Sequence, residues 1–334
     1  MKIRSLALAS LFLASAVSAS NVSITENFNH DPATDGWQAF GDTNLFHWDS
    51  ANQNLAVTWD SAQPNSYFYH PLGTALTSTN NFMLAFDFQI NDITSGLETN
   101  YPSTFQLAIG LLNEVEATGD GFIIGSGYQA ADVVEFDYFP AFSGYKASVS
   151  TPIISSENNF ANIGFDVPLS LSPGVHYHAV MTYTAINQTL HTTLSSNGVP
   201  VGPLQDTTLG DGFDDFNVDM ISINSYSQAG QDTSVHTNKD GSTVIYAGSI
   251  LAHGTVGKLS FGTPLPVVNV LAASPGNVQI GGTTNWIFTL ERTVDFQSWT
   301  DVSRPVSGVS GAMTLTDTNP PTEKAFYRVR ADLP

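Results

Sequence analysis

The chain has 334 residues, 42% of them hydrophobic and 11% aromatic, enough for one large packed domain and a small one. Ten Lys and Arg stand against thirty Asp and Glu, so there are few cations to meet the phosphates of nucleic acid or of an anionic membrane. There is no cysteine, which excludes disulfides and cysteine-ligated zinc or iron–sulfur centres.

Taken in chain order, residues 1–19 read as a secretion signal. Lys2 and Arg4 precede an apolar run from Leu6 to Ala16, and Val17-Ser18-Ala19 supplies the small residues of a cleavage site. That run is too short to span a bilayer, and no later stretch reaches the ~20 apolar residues a spanning helix needs. The expectation is an exported protein, secreted or held at the cell surface. Beyond the signal, segments of five to ten residues alternate with clusters of Gly, Asn, Asp, Pro and Ser. Strands are expected at 55–59, 81–90, 105–112, 122–124, 133–139, 175–184, 189–194, 218–224 and 258–261. Phe82, Leu84, Phe86 and Phe88 alternate with Met83, Ala85 and Asp87, the period of a half-buried strand. No window of twelve residues carries a capped 3.6-residue pattern, so helices should be short and few. A jelly roll or sandwich over residues 20–263 follows.

Gly262-Thr263-Pro264-Leu265-Pro266 marks a boundary, because prolines interrupt ladder donors. Residues 264–334 form a second, small β-module with Trp286, Phe288, Leu290, Trp299, Leu315, Phe326, Tyr327 and Val329 as its expected core.

Between the two ends, Val133-Val134-Glu135-Phe136-Asp137-Tyr138-Phe139 holds the sharpest chemical signal. Side chains at i and i+2 of a strand share a face, so Glu135 and Asp137 present paired carboxyls that need a cation, a shared proton or good solvation. Other groups read as structure. The acidic run 211–219 lacks the spacing of a calcium loop. His176, His178 and His191 are expected as partly buried, hydrogen-bonded imidazoles. Trp37, Trp48, Trp59, Tyr67 and Tyr69 read mostly as core, with either Tyr67 and Tyr69 or Phe68 facing solvent. His253 sits at a glycine-bounded turn, and no serine-nucleophile elbow or phosphate loop is present.

Gly119-Asp120-Gly121-Phe122, the Val-Glu-Phe-Asp strand at 134–137 and Asn162-Ile163-Gly164-Phe165-Asp166 together resemble the legume-type lectins among the concanavalin A-like lectins and glucanases. The resemblance extends loosely over residues 21–262 and implies a concanavalin A-like or laminin G-like jelly roll. It implies a carbohydrate contact at Asp120 and Gly121, and metal ligation by Glu135 and Asp137 with calcium as the candidate cofactor. Asn162 stands where the family has a histidine, Ala141 where it has an asparagine, and Glu157 is offered as a replacement ligand. Tyr138, Phe139 and Phe142 adjoin the acids as sugar-stacking candidates. The tail resembles small β-modules of exported bacterial proteins, and its Tyr327-Arg328-Val329-Arg330 strand resembles one from a fibronectin type III sandwich, which implies a spacer or surface-attachment role.

Three functions are therefore expected in order: a secreted, non-catalytic, lectin-like protein with a polysaccharide or glycan as partner; a glycoside hydrolase or lyase of the same fold; and a surface or matrix adhesion protein. The glucanases carry Glu-x-Asp-x-x-Glu, and here Pro140 replaces the last acid, which argues against the enzyme.

Overall fold

A computed structural model describes residues 22–95, 107–120, 122, 131–141, 146–155, 159–161, 168–227, 236–237, 243–244, 250–263, 269–274, 276–282, 286–296, 298–309, 311–321 and 325–332. Two antiparallel sheets dominate. The back sheet has nine strands, in the order Val199–Val201, Thr189–Ser196, His176–Thr184, Phe82–Ser95, Ile250–Thr263, Asn54–Asp60 and Phe46–Asp49, with Val22–Glu26 and Thr207–Thr208 added at the sides. The front sheet has eight, in the order Asn159–Ala161, Ile153–Ser155, Val133–Phe139, Leu107–Leu112, Val218–Ser225, Ser66–Leu76 and Gln38–Phe40, with Ser148–Ser150 also paired to Val133–Phe139. Spatial neighbours are distant in sequence, as in a jelly roll; Leu107–Leu112, for example, lies between Val133–Phe139 and Val218–Ser225. The all-β sandwich expected from the alternating segments is the architecture observed.

The alternation sets the packing. Along Phe82–Ser95, Phe82, Leu84, Phe86, Phe88 and Ile90 are buried, while Met83, Ala85, Asp87 and Gln89 turn outward. The inward set meets Val134, Phe136 and Tyr138 of the front sheet in one core between the layers. Phe86 and Phe88 lie 5.8 and 5.6 Å from Phe136, and Phe82 stacks on Tyr183 at 5.2 Å. Each fully buried ring contributes roughly 1.5–3 kcal/mol by leaving water.

The front sheet is buried on its outer side as well. Tyr67, Tyr69, Ala108, Leu112, Val133, Ile154 and Met220 form a second cluster there, covered by Ala117, Phe122 and Tyr226. This corrects the expectation that one face of Tyr67-Phe68-Tyr69 meets solvent: Phe68 is in the inter-sheet core and both tyrosines lie under the covering segments. Those segments include the one α-helix among the described residues, Glu114–Ala117, capped by Asn113, whose Oδ1 accepts from the Glu116 amide at 3.1 Å. The acidic run acts as structural connectors: Asp219 accepts from the Glu114 amide at 2.7 Å and Asp215 from the Ser78 amide at 2.7 Å.

His178 and His191 are hydrogen-bonded as expected but exposed, because they stand on the outward side of the back sheet; His176 is exposed there too, and His253 lies within the strand Ile250–Thr263 rather than at a turn. His178 meets Asp87 and His191 meets Asp206, each at 2.6 Å, and His253 meets Asp92 at 2.8 Å.

After Thr263, a three-stranded sheet (Asn269–Ser274, Asn277–Gly282, Gly311–Thr316) and a four-stranded one (Ile287–Thr293, Thr300–Asp301, Val306–Ser307, Phe326–Asp332) enclose a separate core of Val278, Ile280, Trp286, Phe288, Leu290, Met313 and Leu315. Trp299 and Phe326 do not join it. Phe326 is 40% exposed and lies 4.0 Å from the exposed Phe296 ring, while Trp299 carries the Arg328 guanidinium 4.3 Å above its face. Tyr327 and Val329 pack at the edge of the core.

Candidate functional site

Glu135 and Asp137 project from the same side of Val133–Phe139, opposite Val134, Phe136 and Tyr138. They point to the covered outer side of the front sheet, where Glu135 is 0% and Asp137 3% exposed. The register builds two rows beneath them. Glu135 faces Gly110, then Ser222 and Tyr69; Asp137 faces Ala108, then Asn224 and Tyr67. Small residues next to the acids leave room for the carboxyls to lie across the sheet. A Cβ on Gly110 would come within 2.8 Å of Glu135 Cγ and 2.3 Å of the Val134 carbonyl oxygen. The glycine is what lets the glutamate lie flat.

Glu135 reaches over that gap. Its Oε1 accepts short hydrogen bonds from Asn224 Nδ2 and from the Tyr226 hydroxyl. Burial pushes the Glu135 carboxyl up to about 8, against the opposing pull of those two donors. Asp137 is raised well above its ordinary range by burial first and by Glu135 second. Tyr67 and Tyr226 rise for the same two reasons. Burial thus favours the protonated carboxyls of this cluster over the charged ones unless a positive charge enters.

Several polar atoms on this face have no hydrogen-bond partner among the described residues: Glu135 Oε2, Asp137 Oδ1, Asn224 Oδ1, Ser222 Oγ and the Tyr67 hydroxyl. Unpaired buried polar atoms cost about 1–3 kcal/mol each, so native proteins place few of them together. All five are oxygens. An oxygen-only donor set with two carboxyls is the chemistry a hard cation such as calcium takes, with Glu135, Asp137, Asn224 and Ser222 as the available donors. Among the described residues no cluster of three His, Cys, Asp or Glu exists, so the amide and hydroxyl would have to complete such a set.

Asp120 is exposed at the turn after Glu114–Ala117, two residues before Phe122, whose ring packs 6.3 Å from Tyr67 and 6.0 Å from Tyr226. Asp120 thus stands at the rim of the cover over the acids. Tyr138 is corrected: it is 4% exposed in the inter-sheet core, and its hydroxyl accepts from the Leu171 amide at 3.2 Å, so its ring offers no face to a sugar. Phe139 is likewise buried at the strand end. Gly121, Phe142, Glu157 and Asn162 lie outside the described residues. Lys146 is exposed and does not neutralise the acids. Asn224, Ser222 and Gly110 are not among the site residues expected from the sequence. Alternation along Val218–Ser225 carries the missing signal, since Ser222 and Asn224 are polar at i and i+2 of an otherwise apolar strand.

No protein-family model matches the chain, and no curated protein matches it. Solved structures similar to it include peanut lectin with a nine-residue peptide, at 16% identity over 75% of this chain and 100% of that one, TM-score 0.44. Others are lectin II from Ulex europaeus (13% identity, 73% and 99%, TM-score 0.42) and the Emp47p carbohydrate recognition domain (8%, 74% and 99%, TM-score 0.41). The chain is similar in fold to legume lectins, and its own strand order and register carry the architecture described above.

Proposed function

We propose that this is an exported, non-catalytic carbohydrate-binding protein whose acidic cluster seats calcium beneath the binding surface. The observation that carries the reading is the group of five unpaired buried oxygens on the outer side of the front sheet. A cation bound by Glu135, Asp137 and Asn224 would supply the missing partner and fix the covering segment that ends at Asp120 and Phe122. Asp120, exposed at its rim, would then accept from a pair of sugar hydroxyls. Holding that segment in place before binding lowers the entropy cost of capturing a glycan.

Two measurements test this together. Calcium should raise the melting temperature of the protein and leave that of Glu135→Gln/Asp137→Asn unchanged, because a ligand of the folded state stabilises it. A glycan array run with calcium and with chelator should show glycans retained only with calcium. Retention of no glycan in either condition counts against the reading.

A second reading is favoured by one observation. A carboxyl raised to about 8 is protonated at neutral pH, as a general acid for glycoside cleavage must be. Release of reducing ends from β-glucans, abolished in Glu135→Gln, would establish a hydrolase instead.

A further inference from the structure

The back sheet carries a second candidate site, unrelated to the acidic cluster. A cavity of about 340 Å³ lies between its outward face and the C-terminal module. The register builds it. Ala85 forms the centre of the floor, flanked by Val180 on one neighbouring strand and Ser260 on the other. His178 stands opposite Asp87 at one end, and Arg330 and Asp332 reach in from the last strand of the module.

One irregularity aims a charge into this space. Val256 pairs with Phe88 and Leu259 with Phe86, so Gly257 and Lys258 together oppose the single residue Asp87. Such a bulge re-aims the side chain it displaces, and the displaced side chain here is Lys258, which lines the cavity. The other charges around it are matched. Asp87 is held by His178 at 2.6 Å. Arg330 is held by Asp332 and Asp301, each at 2.9 Å, and by Glu291 at 2.6 Å. Among the described residues the Lys258 ammonium has no carboxylate partner, in a chain with three acids for every base.

We propose that this cavity binds a hydroxylated monocarboxylate of sugar size, a uronic acid, with its carboxylate on Lys258. A single unmatched ammonium calls for one negative charge, and Asp87 and Asp332 beside it disfavour a dianion such as phosphate. The apolar floor of Ala85, Val180 and Met83 suits the C–H face of a sugar ring. His178 donates from Nδ1 to Asp87, which leaves Nε2 free to hydrogen-bond a hydroxyl, itself both donor and acceptor. The volume sits at the small end of ligand pockets, roughly 300–1,000 Å³, which fits one or two rings.

The test uses the full chain in chelator, so that the front-sheet cluster is held metal-free. Sodium glucuronate, digalacturonate and methyl glucoside are titrated at millimolar concentration and followed by ligand-observed NMR and calorimetry. Glucuronate should bind and methyl glucoside should not. Binding of digalacturonate as well assigns the site to a polysaccharide end; binding of glucuronate alone assigns it to the free sugar acid. Lys258→Met should weaken binding by about tenfold or more, the loss expected for a charged hydrogen bond, and Lys258→Arg should retain it. Lys258 is exposed, so both variants should keep the wild-type melting temperature. No binding of glucuronate, equal binding of methyl glucoside, or an unchanged affinity in Lys258→Met overturns the proposal.

Discussion

Glu135 is where a single residue couples to the stability of the whole. Its carboxyl is raised to about 8 in the folded protein, whereas an unfolded chain titrates it near the ordinary value of 4.5. Below the lower value both states hold the proton and the group does not discriminate. Between the two the unfolded state ionises while the folded state does not, so stability falls as pH rises, at up to about 1.4 kcal/mol per pH unit. Metal-free protein should therefore be most stable near pH 5 and lose several kcal/mol by pH 8. Denaturant titrations across that range measure the slope; Glu135→Gln should reduce it, and Glu135→Gln/Asp137→Asn should flatten it further, because burial raises Asp137 as well. A wild-type profile that rises towards pH 8 would show an ionised Glu135 in the folded state and sink this account. Tyr226→Phe tests the donors separately. It removes one hydrogen bond to the Glu135 carboxyl, so it should cost about 1–3 kcal/mol at pH 8, where the acceptor is becoming charged, and less at pH 5.

The strand is the scale at which site and fold meet, and Gly110 shows how. Its neighbours leave no room for a methyl group, since a Cβ would lie 2.6 Å from Glu135 Cα and 2.3 Å from a backbone oxygen. Gly110→Ala should cost about 3 kcal/mol or more, or block folding, as overpacking against backbone does. Urea denaturation beside the control Gly210→Ala, where nothing lies within 4 Å and the backbone is not left-handed, would measure it. This element also marks what the sequence made legible. Strand Val133–Phe139 and the shared direction of Glu135 and Asp137 follow from period-2 alternation alone. Their burial does not follow from it. Burial comes from Ala117, Phe122 and Tyr226, which lie over the front sheet, and no local pattern announces which loop covers which face. The same limit explains Tyr67 and Tyr69, whose alternation with Phe68 is right while the exposure inferred from it is wrong. Trp299 and Phe326 fail in the opposite direction: their apolar character suggested core, and they stand at the ends of strands, where one ring covers another in partial contact with water.

At the scale of the molecule, charge is divided between the two β-units. Residues 20–263 carry three cations, Lys146, Lys239 and Lys258, with twenty-four of the thirty carboxylates, while residues 264–334 carry five cations and the other six. In the C-terminal module the buried acids are paired: Glu291 is held by Arg328 and Arg330, and Asp317 by Arg292 at 2.7 Å and by the Tyr327 hydroxyl at 3.0 Å. In the sandwich most of the described carboxylates are exposed or half-buried and outnumber the bases, so self-repulsion opposes the compact state. Salt should act differently on the two units. Raising sodium chloride from about 10 mM to about 0.5 M shortens the screening length from roughly 30 Å to a few ångströms. In chelator, that change should raise the melting temperature of the sandwich, reported by its buried Trp37 and Trp59, and lower or leave unchanged that of the ion-paired module. Calcium should imitate the first effect at far lower ionic strength if it enters the acidic cluster, and should not do so in Glu135→Gln/Asp137→Asn. A sandwich whose melting temperature falls with added salt would mean that its exposed His–Asp pairs outweigh the net repulsion, and the charge imbalance would then carry no energetic weight in this fold.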